Sequence, residues 1–139
     1  MKPCDRVMPL IGRVLISAIF ILSGLMKLES WSGSAAFLAS KHFPLPTAML
    51  AGAVIVELLG GLLVLLGFKA RIAAFIIFLY LIPTTLIFHN FWAMQGAMRA
   101  DNHIHFLKNL AIMGGLLMVA SYGPGKLSVD GGAKTTMPA

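Results

Sequence analysis

Residues 47–68, TAMLAGAVIVELLGGLLVLLGF, form an apolar run with one ionisable side chain, Glu57, near the middle. As a helix rising about 1.5 Å per residue, the run spans roughly 30 Å, the thickness of a bilayer's hydrocarbon core. Glu57 then lies far from both water interfaces. A charged side chain at that depth costs about 2.5–3.5 kcal/mol on insertion scales, so other segments must bring a cation or hydrogen-bond donors to it.

Three further apolar runs flank this one, and together they predict an all-α integral membrane four-helix bundle with spans at 7–28, 47–68, 71–89 and 104–122. Composition agrees with this: 58% of residues are hydrophobic and 12% charged, against about 25% charged in soluble domains. The first run is split by Arg13, and its part from Val14 to Met26 has the shape of a secretory signal's apolar centre. Because Lys27 and Glu29 precede the small-residue stretch SGSAAFLAS and three spans follow, the run reads as a retained helix. Pro83 interrupts the third run without ending it and is expected to bend that helix near Leu79–Pro83. Residues 1–125 read as one transmembrane domain, and residues 126–139 as a flexible tail.

The net charge of +6 is spread along the chain without a basic face or K/R-rich run, which argues against nucleic acid as a partner. The lone Cys4 excludes an internal disulfide, a CxxC pair and a cysteine-based metal site. Sorted by side, Lys2, Arg6, Arg13, Lys69, Arg71, Lys126 and Lys134 oppose Lys27, Lys41, Arg99 and Lys108. The excess favours both termini in the cytoplasm. Trp31 and Trp92 then mark the outer interface.

On that outer side Lys27 and Lys108 are the cations within reach of Glu57, with His89 at the end of helix three and Asn109 beside Lys108 one turn into helix four. Two readings of this set stay open. In one, Glu57 bridges helices as a buried ion pair while lysines reach toward headgroups. In the other, a carboxylate and an imidazole opening to the interface bind and protonate a quinone, with Glu57 and His89 handling protons and Lys27 or Lys108 polarising a quinone oxygen. Arg13, near the inner interface, reads as a snorkelling anchor of helix one. His42, His103 and His105 read as loop histidines, and with no acidic or cysteine ligand beside them no metal site is assigned. The paired glycines of Gly60-Gly61 and Gly114-Gly115, each followed by Leu-Leu, read first as close helix-packing points and second as a trace of duplication.

The ordered motifs are Arg13 with FILSGLMKL from Phe20, ELLGG from Glu57, LLGFKAR ending at Arg71, FHNF from Phe88, FLKNLAIMGG from Phe106 and GPGKLSVD from Gly123. In this order and spacing the chain resembles the DoxX family of small four-helix bacterial inner-membrane proteins from about Arg13 to Asp130. The resemblance implies the fold, an inner-membrane location and polar family positions at Arg13, Lys27, Glu57, His89, Lys108 and Asn109. It also implies a redox setting, since family members are linked to quinone reduction, sulfur oxidation and oxidative-stress assemblies. The expected function is an accessory or anchoring subunit of such a system, with the bilayer and a redox protein or further copies of the chain as partners. A quinone-binding oxidoreductase subunit is the alternative, and a small-molecule or proton transporter a third reading.

Overall fold

A computed structural model describes residues 4–132, and within them the architecture is entirely helical. The helices are α1 (Cys4–Glu29), α2 (Trp31–Ser40), α3 (Pro46–Leu66), α4 (Ala70–Phe88) and α5 (Gly96–Tyr122). Four stretches are long and apolar enough to cross a membrane, at Arg6–Glu29, Pro46–Leu66, Ala70–Ala93 and Gly96–Tyr122. The short α2 lies outside that set. It joins α1 to α3 where the sequence reads as a loop, because its ten residues are too few to register as a span.

Each boundary has a local cause. Pro46 starts α3 at a position where its missing N–H is no loss. Gly67, in the left-handed region at φ 69°, ends α3 with its own N–H on the Val64 carbonyl and the Phe68 N–H on that of Leu63. Lys69 follows at φ 47°, so the chain reverses within three residues into α4. Helix α4 continues through Pro83 without a break, and the Thr84 hydroxyl donates to the Tyr80 carbonyl at 2.8 Å.

Helix α1 packs along α3, α3 against α4, and α4 along α5. The shared core is Phe20, Val64, Ala73, Ala74, Ile77, Leu81 and Leu116. Large apolar side chains such as Leu15, Leu22, Ile55, Leu59, Ile72 and Met118 face outward, as a bundle solvated by lipid requires. Three of the four paired glycines lie against neighbouring helices: Gly60 against Ile77, Gly61 against Phe20 and Ile21, and Gly115 against Ile16.

Two expectations are corrected here. Helix α5 begins at Gly96, so His103 and His105 are helical rather than loop residues, and Lys108 and Asn109 lie three turns into the helix rather than one. The apolar run stops at Ile104, but Ala, Met and Arg are good helix formers and carry α5 past the hydrophobic stretch. Arg13 does not snorkel. It is 1% exposed, donating from Nη1 to the carbonyls of Leu65 (2.8 Å) and Val64 (3.3 Å) and from Nη2 to that of Leu127. The last carbonyls of α3 have no partners inside the helix, and a planar cation satisfies them better than headgroup water could.

Of the segment read as a tail, residues 126–132 are held in place. The N–H groups of Val129 and Asp130 donate to the carbonyls of Leu66 (3.1 Å) and Gly67 (2.9 Å), and the Asp130 carboxylate accepts from the Ala70 N–H at 3.3 Å. The remainder of that segment, and Lys2 and Lys134 of the charge comparison, lie outside the described residues.

Candidate functional site

Glu57 lies eleven residues into α3, about 17 Å from its start, and is 5% exposed. Its carboxylate accepts from Lys27 Nζ at 3.0 Å (Oε1) and 2.9 Å (Oε2), and from the Tyr80 hydroxyl at 2.9 Å (Oε1). Lys27, in the last turn of α1, also donates to Ser23 Oγ at 2.6 Å, one helical turn back on the same face. Three helices thus converge on one carboxylate. This is the cation and donor set that a central glutamate demands, and it is the only ion pair among the described residues.

The close approach of α1 and α3 puts Lys27 within reach. Gly24 stands where a Cβ would lie 2.6 Å from Leu58 Cγ, so only a glycine lets the two backbones come this near. Tyr80 comes from the middle of α4, where it is half-buried against the core and its hydroxyl needs a partner.

The ion pair does not close the site. It opens into a cavity of about 500 Å³ walled by Phe20, Phe37, Leu50, Leu81, Phe88 and Ile112, with Ser30, Ser34, Thr84, His89 and Asn109 as further polar groups. Helix α2 forms one side through Gly33, Ser34, Phe37 and Leu38. Phe37 of α2 and Phe43 of the connection to α3 reach α4, their rings lying 5.7 and 5.9 Å from that of Phe88. A mostly apolar cleft with a few convergent polar groups is the general form of a small-molecule site.

Asn109 Nδ2 donates to the buried Thr85 hydroxyl at 3.0 Å. His89 Nδ1 lies 3.0 Å from Asn102 Oδ1, and its ring stacks on His105 with centroids 5.2 Å apart. His103 packs on Phe91 at 4.4 Å, in a cluster completed by Trp92 and Phe106. The described residues contain no group of three or more His, Cys, Asp or Glu placed to hold a metal ion.

Of the six residues singled out by sequence, Lys27, Glu57, His89 and Asn109 line the same cavity. Arg13 lies about 21 Å along α1 from Lys27, in the first half of the helix, and Lys108 is exposed on α5 outside the cavity. Ser23 and Tyr80 complete the site and went unread. A tyrosine at the centre of a span, away from the interfacial belts, was the available signal.

The family model for DoxX matches residues 8–90, which carry Lys27, Glu57, Tyr80 and His89. The chain is 36% identical over 124 residues to the inner membrane protein YphA of Escherichia coli (strain K12), covering 89% of each protein. It is 33% identical over 130 residues to the inner membrane protein YqjF of the same organism, covering 94% of this chain and 95% of that one. A shorter likeness, 32% identity over 77 residues, links 55% of this chain to 25% of the ER-derived vesicles protein ERV29 of Saccharomyces cerevisiae (strain ATCC 204508 / S288c). No solved structure gives a significant match. With a family model spanning more than half of the chain, two inner membrane relatives matched over almost their whole length and four apolar helices, the chain belongs to the DoxX family and is a multi-pass inner membrane protein.

Proposed function

We propose that this protein is a subunit of an inner-membrane redox system, with both termini in the cytoplasm, and that its cleft holds a quinone headgroup. The observation that carries the reading is the Lys27–Glu57 pair at the floor of an apolar cavity rather than inside a sealed core. Lys27 and Tyr80 direct their hydrogen bonds to Glu57 and Ser23, so a quinone oxygen takes a donor from one of them by drawing it off the carboxylate, while Asn109 and His89 add further polar groups to the cavity wall. Conversion to the quinol takes two electrons and two protons. In this reading the electrons come from a partner redox protein and the protons pass through Glu57 and His89, which both line the cavity. The orientation rests on the excess of Lys2, Arg6, Arg13, Lys69, Arg71, Lys126 and Lys134 over Lys27, Lys41, Arg99 and Lys108 in the sequence.

Titration of the purified protein with a soluble ubiquinone analogue, read by fluorescence quenching, is expected to saturate and to weaken in Tyr80→Phe and Asn109→Leu. A wild-type protein that gives no saturable signal overturns the reading.

A second reading has its own support: the Glu57 carboxylate is already satisfied by three hydrogen bonds without any ligand. The site then acts as a structural clasp in an accessory subunit that docks a redox protein. Mild-detergent purification followed by extraction and mass spectrometry separates the two. Quinone in the extract supports the first reading, and a stoichiometric partner protein without quinone supports the second.

A further inference from the structure

At the end of the bundle opposite the Glu57 cavity, a second cleft of about 750 Å³ opens between the α3–α4 turn and the segment after α5. Three cations line it: Lys69, Arg71 and Lys126. They come from two places far apart in sequence and converge only in the fold. Asp130 is the one acidic lining residue, and its Oδ2 is turned to the Ala70 N–H at 3.3 Å. Among the described residues none of the three cations has a carboxylate within 4.0 Å. The cleft therefore concentrates positive charge that no described carboxylate pairs with directly.

Its walls are specific in shape. Arg71 is held by its Nη1, which donates to the Ser121 carbonyl at 2.7 Å and reaches that of Ala120 at 3.4 Å, so its guanidinium is fixed at the mouth. Gly123, at φ 87°, leaves room for it, since a Cβ there would sit 3.1 Å from both Nε and Nη2. Tyr122 lines the same cleft and is 77% exposed at the last residue of α5, where an aromatic ring lies at headgroup depth. The span of α4 starts at Ala70 and that of α5 ends at Tyr122, so the cleft sits at the level where hydrocarbon gives way to phosphate.

We propose that this cleft binds the phosphate of an anionic membrane lipid, with Lys69, Arg71 and Lys126 facing the phosphate oxygens and Tyr122 lying against the glycerol and upper acyl region. Arginine and lysine donors suit phosphate oxygens, and basic pockets between spanning helices on the cytoplasmic side take anionic headgroups for this reason. A soluble phosphorylated compound offers the same chemistry, but the position at the ends of two spans favours the lipid.

Native mass spectrometry of the purified full chain with phosphatidylglycerol or phosphatidylcholine tests the assignment. Wild type is expected to retain phosphatidylglycerol preferentially. In Lys69→Gln/Lys126→Gln that preference should fall about 30-fold, from the roughly fivefold that each lysine near a membrane surface contributes. The outer-side control Lys41→Gln/Arg99→Gln should leave it unchanged, and a thermal melt of each variant in detergent verifies folding. Equal retention of the two lipids by wild type, or an unchanged preference in the folded inner-side variant, overturns the proposal. Displacement of the lipid by millimolar inorganic phosphate keeps a phosphate site and overturns its assignment to lipid.

Discussion

Tyr80 and Lys27, from helices on either side of α3, donate to the same oxygen of Glu57, at 2.9 and 3.0 Å. The carboxylate is thereby fixed in position, and its second oxygen is left to Lys27 alone at 2.9 Å. Because the two donors come from different helices, single substitutions can read their contributions apart.

Removing the charge of the acceptor should be the more damaging change. Glu57→Gln strands the Lys27 ammonium beside apolar walls and is expected to cost about 2–3 kcal/mol. This is below the ~3–5 kcal/mol of a fully buried pair, because the Lys27 side chain is 29% exposed. Lys27→Met/Glu57→Leu should be less destabilised than the sum of its single variants. A double-mutant cycle from detergent melting curves checks this, and additivity would show that the pair does not interact.

Tyr80→Phe keeps the ring and the ion pair and removes one hydrogen bond to a charged acceptor. The expected loss is about 1.5 kcal/mol of stability. A larger change in quinone-analogue affinity than in melting free energy would mark the hydroxyl as ligand-facing.

Packing at Gly24 sets the distance between Lys27 and Glu57. Gly24→Ala drives a methyl into Leu58 and should cost about 1–3 kcal/mol, while Gly114→Ala, with open space around its Cβ, should be neutral or stabilising by up to about 1 kcal/mol. Thermal denaturation of the two variants side by side checks the contrast.

At the other end of α1, Arg13→Lys keeps the charge but loses the fork that spans two segments. It should destabilise by about 3 kcal/mol and expose Lys126 to trypsin, because the Leu127 carbonyl loses its donor. Limited proteolysis in detergent measures this, and wild-type cleavage rates in the variant would refute the clamp.

The four spans and the Lys27–Glu57 pair were legible because hydropathy reports depth, and a charge at depth implies a counter-charge. Depth does not report rotation about a helix axis. Lys27 and Lys108 were equivalent on paper, and only the turn of α5 that puts Asn109 against Thr85 sends Lys108 outward. Tyr80 escaped notice because a neutral phenol scarcely lowers the hydropathy of its span. Arg13 misled for a related reason: a lone arginine near a span's end looks the same whether it reaches for headgroups or for carbonyls of a neighbouring helix. Helix α2 and the first turns of α5 were missed because apolar-run length detects the hydrocarbon slab and is blind to helix beyond it.

The carbonyl of Leu127 that receives Arg13 is joined to the chain 114 residues after the arginine itself, and the α3 carbonyls about halfway between. As a ribosome feeds this protein into the membrane, its first helix therefore carries a guanidinium whose acceptors have yet to be made. Seating of that helix waits on the arrival of later segments, so the timetable of synthesis is written into the side chain of residue 13.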